Sequence, residues 1–128
     1  MVVQRGDVYF IDLDPALGRE QRGRRPVVVM SRDSLNRMPL VVVIIPGTSA
    51  VKGIGNYMTN VLVPAGIAGL PRDTVFMAFQ VRAVDHNRFA DPPIGRLNGK
   101  YMDALERAMA YTLDFPMSTT TSSAGRTP

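Results

Sequence analysis

Four arginines, Arg19, Arg22, Arg24 and Arg25, fall within seven positions of one polar stretch, and the last stands directly before Pro26 and the apolar run Val27-Val28-Val29-Met30. A guanidinium grips two phosphate oxygens at once, stays charged and stacks on bases. Like charges so crowded repel one another unless an anion or an acidic partner is present. A pair of hydroxyls, Thr48-Ser49, follows a second apolar run, Val41 to Ile45, and the turn-like Pro46-Gly47. A guanidinium and a hydroxyl placed at strand ends suit chemistry at a phosphate. Both donate hydrogen bonds to its oxygens and steady added negative charge.

Other chemistries are poorly supplied. His86 is the only histidine, so acid–base work by two imidazoles is out of reach within one chain. In the polar run Asp85-His86-Asn87-Arg88 it reads as a solvated turn residue. With no cysteine there is no thiol nucleophile, no disulfide framework and no cysteine-bound zinc. The acids are scattered. Asp12 and Asp14 come closest to a metal-ligand spacing, but Asp14 precedes Pro15 and reads as a turn former. Gly53-Ile54-Gly55 follows no nucleotide-binding pattern. Neither a metal nor a cofactor is expected. Cleavage of RNA without a metal remains feasible on what is left, since its ribose 2′-OH can attack the adjacent phosphate in line and leave a 2′,3′-cyclic phosphate and a 5′-OH. The nucleophile then belongs to the substrate, and the protein must move a proton and stabilise a phosphorane. DNA lacks that hydroxyl.

Short strands must position these groups. Val8 to Leu13 reads as a strand, and Pro15 and Gly18 open a loop that runs to Arg25. Val27 to Met30 and Val41 to Ile45 are β-branched runs too short for buried helices and are expected as central strands. Ser31 to Arg37 between them fits one helical turn. Gly47 to Thr59, with glycines at 47, 53 and 55, predicts a long functional loop. Asn60 to Val63 is a short strand, and Thr74 to Val84 a longer one or a bent pair. The period then changes: Met102, Leu105, Met109 and Thr112/Leu113 recur at helical spacing, which predicts a helix over Gly99 to Asp114 with Asn98 as its N-cap. Pro116 to Pro128 is rich in Ser and Thr and nearly free of apolar residues, so a disordered tail is expected. These elements suggest a mainly β fold with a C-terminal α-helix, a bent antiparallel sheet or partly open barrel.

The chain has 128 residues, 45% of them hydrophobic, and a formal net charge of +4. One domain with its own core is expected from that length. Lys52 and Lys100 are the only lysines among fifteen basic residues; the rest are arginine. The first residues are too few and too polar for a signal peptide, and no apolar run approaches the ~20 residues of a membrane-spanning helix. A soluble, cytoplasmic protein is the expectation.

The ordered set Arg5-Gly6-Asp7-Val8-Tyr9-Phe10, Asp14-Pro15, Gly18-Arg19-Glu20-Gln21, Arg25-Pro26 and Pro46-Gly47-Thr48-Ser49 resembles the MazF/PemK toxins, metal-independent endoribonucleases of toxin–antitoxin systems. The resemblance runs from about Gln4 to Phe115, which makes 1–115 a toxin domain and 116–128 a tail. It implies the SH3-like barrel shared by MazF, PemK and CcdB. It also implies a homodimer that cuts single-stranded RNA at a short sequence, and an acidic antitoxin whose flexible segment wraps the toxin. Carried over by motif, the catalytic pair is Arg25 and Thr48, with Glu20 as the conventional candidate for proton transfer, since a guanidinium is a poor base. RNA contact would involve Gly18, Arg19, Gln21, Arg24 and Ser49. Lys52 would meet a phosphate and Tyr57 a base, and Gln80 would read base edges. Relatives usually have an apolar residue where this chain has Gly47, which is expected to loosen the backbone beside Thr48, and an acid where it has Phe79. Two other classes share the features in part: a CcdB-like gyrase inhibitor without chemistry, and a non-catalytic RNA-binding module. Arg25 and Thr48 argue against the inhibitor, which needs neither.

Overall fold

The β-branched run Val27–Val29 forms a strand covered on both faces, which is why it reads as a continuous rather than alternating apolar stretch, while in the second run Val41 is exposed and Ile44 and Ile45 are buried. A computed structural model describes residues 2–38 and 40–116; the expected tail from 117 onward lies outside them. Seven strands, β1 (Asp7–Asp12), β2 (Arg24–Val29), β3 (Val41–Thr48), β4 (Asn60–Val63), β5 (Thr74–Met77), β6 (Arg82–Asp85) and β7 (Gly95–Arg96), are joined by one helical turn, α1 (Asp33–Asn36), and closed by the helix α2 (Gly99–Leu113). Their order is β4-β5-β3-β2-β1-β7, with β6 also on β3, all antiparallel. The result is a mainly β, curled half-barrel with a C-terminal helix.

The curl originates in β3. Its first half pairs with β6 (Val42↔Val84) and its last two residues pair with β5 (Gly47↔Phe76, Thr48↔Val75). The stretch expected as one long strand or a bent pair is a bent pair. A 3-10 turn at Ala78–Gln80 separates β5 from β6, and Ala78 N–H, pinned to Thr59 O at 2.8 Å, fixes that corner. Alternation along the shared strands then divides the core. Val28, Ile45 and Phe76 face α2 with Leu105 and Ala108, while Tyr9, Val27, Ile44 and Phe89 pack on the opposite side. Tyr9 is wholly enclosed there, its ring edge-on to Phe89 at 4.9 Å. Burial, reinforced by the Asp7 carboxylate, pushes its hydroxyl from 10.0 up to about 12, so it stays protonated at neutral pH.

Two short devices hold the ends of these strands. The α1 turn exists because Asn36 is buried and donates to Ser31 O at 2.8 Å, while Ser31 Oγ accepts Val43 N–H at 3.1 Å. Arg5 donates to Met30 O and to Glu106 of α2, tying the first residues to the helix. Asn98 Oδ1 accepts Tyr101 N–H at 3.3 Å, the expected N-cap. The helix stops at Leu113, one residue before the expected end, because Asp114 turns left-handed (φ 59) and Phe115 N–H closes on Ala110 O. The inner residues are Leu105 and Ala108; Leu113, expected on the inner stripe, is exposed.

Candidate active site

Arg25 and Thr48 are 23 residues apart in sequence and are brought together by strand register. β2 pairs with β3 as Val27↔Pro46, Val28↔Ile45 and Val29↔Ile44; continued two residues outward, that register sets Arg25 opposite Thr48. Both line a cleft of about 220 Å³, with Arg24, Ser49 and Arg72 beside them and Phe10 and Pro26 forming its apolar wall.

Each group has one local hydrogen bond that leaves its ligand-binding atoms open. Arg25, half-buried, donates Nε–H to Arg22 O at 2.7 Å. Its two Nη groups have no partner among the described residues and can take two oxygens of one phosphate. Thr48 Oγ1 accepts Ala50 N–H at 3.1 Å, so its own proton remains available to a ligand. Arg24 is partly compensated by Asp91 at 3.3 Å and lies 5.9 Å from the Phe10 ring centre. That pair is exposed on both sides and contributes little to stability.

The arginine loop is ordered mostly by its own backbone. Arg22 donates to Ala16 O and Gly18 O, and Gly23 N–H reaches Asp14 Oδ1 at 3.2 Å. Gly18 takes φ +57, which favours glycine. Glu20 turns back on its own loop, accepting Leu17 N–H at 2.6 Å. It pairs with no arginine among the described residues and does not line the cleft, which carries no carboxylate or imidazole. Gln80 joins the loop from the other side, donating to Arg19 O at 3.5 Å. Gln21 is half-buried in the same loop, and Arg19 and Ser49 are exposed. Lys52 and Tyr57 lie exposed on the 49–59 loop and are not brought to the cleft. His86 sits in a short turn, as expected. No three His, Cys, Asp or Glu side chains cluster among the described residues.

Gly47 corrects one expectation. It does not loosen the strand, because it is buried in the β3–β5 ladder opposite Phe76. A Cβ there would lie 2.6 Å from Thr74 Cγ2 and 3.1 Å from the Phe76 ring. The glycine lets β5 approach, and that approach fixes the backbone leading into Thr48. Gly47→Val should therefore lower stability by about 1–3 kcal/mol, read as a shift in urea midpoint. Thr74→Ser deletes the opposing methyl, and a serine hydroxyl can still donate to Arg72 O as Thr74 does at 2.9 Å. It should recover part of the loss in the double variant. Unchanged stability of Gly47→Val would show that β5 is free to withdraw.

Arg72 is a cleft residue that the sequence did not announce. It follows Pro71 in a surface turn, 47 positions from Arg25, and only the pairing of Val75 with Thr48 brings it near. An arginine in a proline turn carries no local signal of a site.

Residues 4–113 match the family model described as PemK-like, MazF-like toxin of type II toxin-antitoxin system. Endoribonuclease EndoA of Bacillus subtilis is 36% identical over 113 residues, covering 88% of this chain and 96% of that protein. Endoribonuclease MazF of Staphylococcus saprophyticus is 31% identical over 112 residues, covering 88% and 92%. Among solved structures, MazF from Deinococcus radiodurans superposes with a TM-score of 0.77 at 24% identity, over 89% of this chain and 98% of that one. A mycobacterial endoribonuclease solved in complex with its cognate antitoxin gives 0.72 at 22% identity, over 91% and 99%. With the family model spanning most of the chain and relatives above 30% identity along nearly their whole length, this chain belongs to the PemK-like, MazF-like toxins of type II toxin–antitoxin systems.

Proposed function

We propose that this protein is a sequence-specific endoribonuclease that cuts single-stranded RNA by attack of the 2′-OH on the neighbouring phosphate. The observation that carries the reading is that Arg25, at the start of β2, and Thr48, at the end of the adjacent β3, line one cleft. The Arg25 Nη groups hold two non-bridging oxygens and stabilise the phosphorane, to which the Thr48 hydroxyl donates. The 2′-oxygen bonds to phosphorus, the bond to the 5′-oxygen breaks, and the products are a 2′,3′-cyclic phosphate and a 5′-OH. With no acid on the cleft, proton transfer falls to Arg25, to solvent, or to Glu20 after release from Leu17.

The exposed arginines of the 18–25 loop and Gln80 beside them supply contacts to flanking nucleotides, with Lys52 and Tyr57 closing from the 49–59 loop. An acidic antitoxin with a flexible segment suits the same positive loop, and a relative has been solved with its antitoxin. The working unit is a homodimer in the cytoplasm. For the dimer, support comes from the exposed apolar side chains of Met58, Leu62 and Tyr111 around an open groove between β4 and α2. No helix among the described residues is long and apolar enough to cross a membrane.

Incubation with mixed-sequence RNA in excess EDTA, followed by mapping of the new ends, tests the reading. Cleavage is expected to persist and to leave cyclic phosphate ends at one short motif. Loss of activity in EDTA with recovery in Mg²⁺ would overturn the mechanism.

A further inference from the structure

Arg72 stands on the opposite side of Thr48 from Arg25. β3 lies between β2, which carries Arg25, and β5, whose Val75 pairs with Thr48 three residues after Arg72. Adjacent strands are about 4.8 Å apart and residues about 3.3 Å apart along a strand, so Arg72, three residues before Val75, is offset from Thr48 along the sheet as well as across it. Both arginines line the one cleft.

The charge of Arg72 is uncompensated. The three ion pairs among the described residues are Arg5–Glu106, Arg24–Asp91 and Arg96–Asp7. The adjacent acid, Asp73, is directed away: its Oδ1 accepts Ala65 N–H at 2.8 Å. No hydrogen bond of the Arg72 guanidinium is found among the described residues. Its backbone is nonetheless held, because Thr74 Oγ1 donates to Arg72 O at 2.9 Å while the Thr74 methyl fills the space against Gly47. Arg72 is thus a cation with a held backbone and an unpaired head on the cleft that also carries Arg25 and Thr48.

We propose that Arg72 binds the backbone phosphate next to the scissile one, so that the RNA strand crosses the end of β3 with one phosphate on Arg25 and Thr48 and its neighbour on Arg72. This rests on the ribonuclease reading above and adds a second phosphate subsite to it. Arg72 touches the strand but not the reacting atoms. Its contribution is affinity and alignment, carried mainly by charge.

The probe is a fluorescent oligoribonucleotide containing the mapped cleavage site with deoxyribose at the scissile nucleotide, followed by anisotropy across a salt series. Arg72→Ala should weaken binding several-fold and flatten the slope of log affinity against log salt by roughly 0.7, the value for one phosphate contact on a single strand. Arg72→Lys should restore the slope. Cleavage by Arg72→Ala should fall more on this oligomer made all-ribose than on the dinucleotide that carries the scissile phosphate alone. A wild-type slope in Arg72→Ala, at an unchanged thermal midpoint, would overturn the subsite; so would equal losses on the dinucleotide and the oligomer. If the mapping in EDTA yields no cut RNA, the ribonuclease reading falls instead, and a mixed-sequence oligoribonucleotide then serves as the probe, its salt slopes still reporting on the phosphate contact.

Discussion

An RNA with deoxyribose at only the scissile nucleotide is expected to bind this protein and stay uncut. The cleft supplies donors for a phosphate, Arg25 and Thr48, and no serine, cysteine or carboxylate in a position to attack one, apart from the exposed Ser49 at its rim. On the proposed reading the nucleophile is the ribose 2′-OH. Removing one oxygen takes away the reaction and leaves every phosphate and base contact in place, so affinity measured by anisotropy should match that of the all-ribose strand within a few-fold. Continued cleavage at the deoxy position would mean that water or a protein group attacks, and the assignment of roles in the cleft would fall.

Arg25→Ala should slow cleavage by about 10²–10³, the usual effect of losing one preorganised donor to a transition state. The fold should survive, because Arg25 is only half-buried and its one bond is to a loop carbonyl. Arg25→Lys should recover little: a point charge neutralises the phosphate but cannot hold two of its oxygens in a plane. At Thr48, substitution by serine should cost less than substitution by valine, since the hydroxyl does the work. Single-turnover rates with unchanged circular dichroism would check both sites. Near-normal turnover in Arg25→Ala would remove it from the chemistry, and equal losses in Thr48→Ser and Thr48→Val would point to packing of the methyl group.

The strands were legible because their signals are local. The β-branched run at Val41 needs no knowledge of its partners, nor do the short strand at Asn60 and the cap at Asn98. That residues 25 and 48 line one cleft was legible only through resemblance, because nothing local says that these two strand ends will meet. Pairing was the hidden quantity. That β3 serves β6 with one end and β5 with the other cannot be read from its composition. The true function of Gly47, as a gap filled by Phe76 and Thr74, depends on the same pairing. Arg72 was missed for this reason, and so was the placement of Glu20, which accepts the Leu17 amide and does not line the cleft.

The narrow β1–β7 contact bears on how the chain comes together during synthesis. Only Asp7↔Arg96 and Val8↔Gly95 pair there, helped by Ile94 N–H to Val8 O at 2.7 Å and by the Arg96–Asp7 bridge at 2.9 Å. Every strand around the cleft precedes Ala78 in the sequence, so β2, β3 and β5 can pair on a nascent chain while residue 95 is still enclosed in the ribosome. The outer edge of β1 is then a bare row of amides and carbonyls, the kind of edge that recruits a strand from a neighbouring chain. Sealing of that edge is thus a late event, separated in time from assembly of the cleft, and a ribosome that stalls between the two would hold a chain with its cleft strands paired and one open flank.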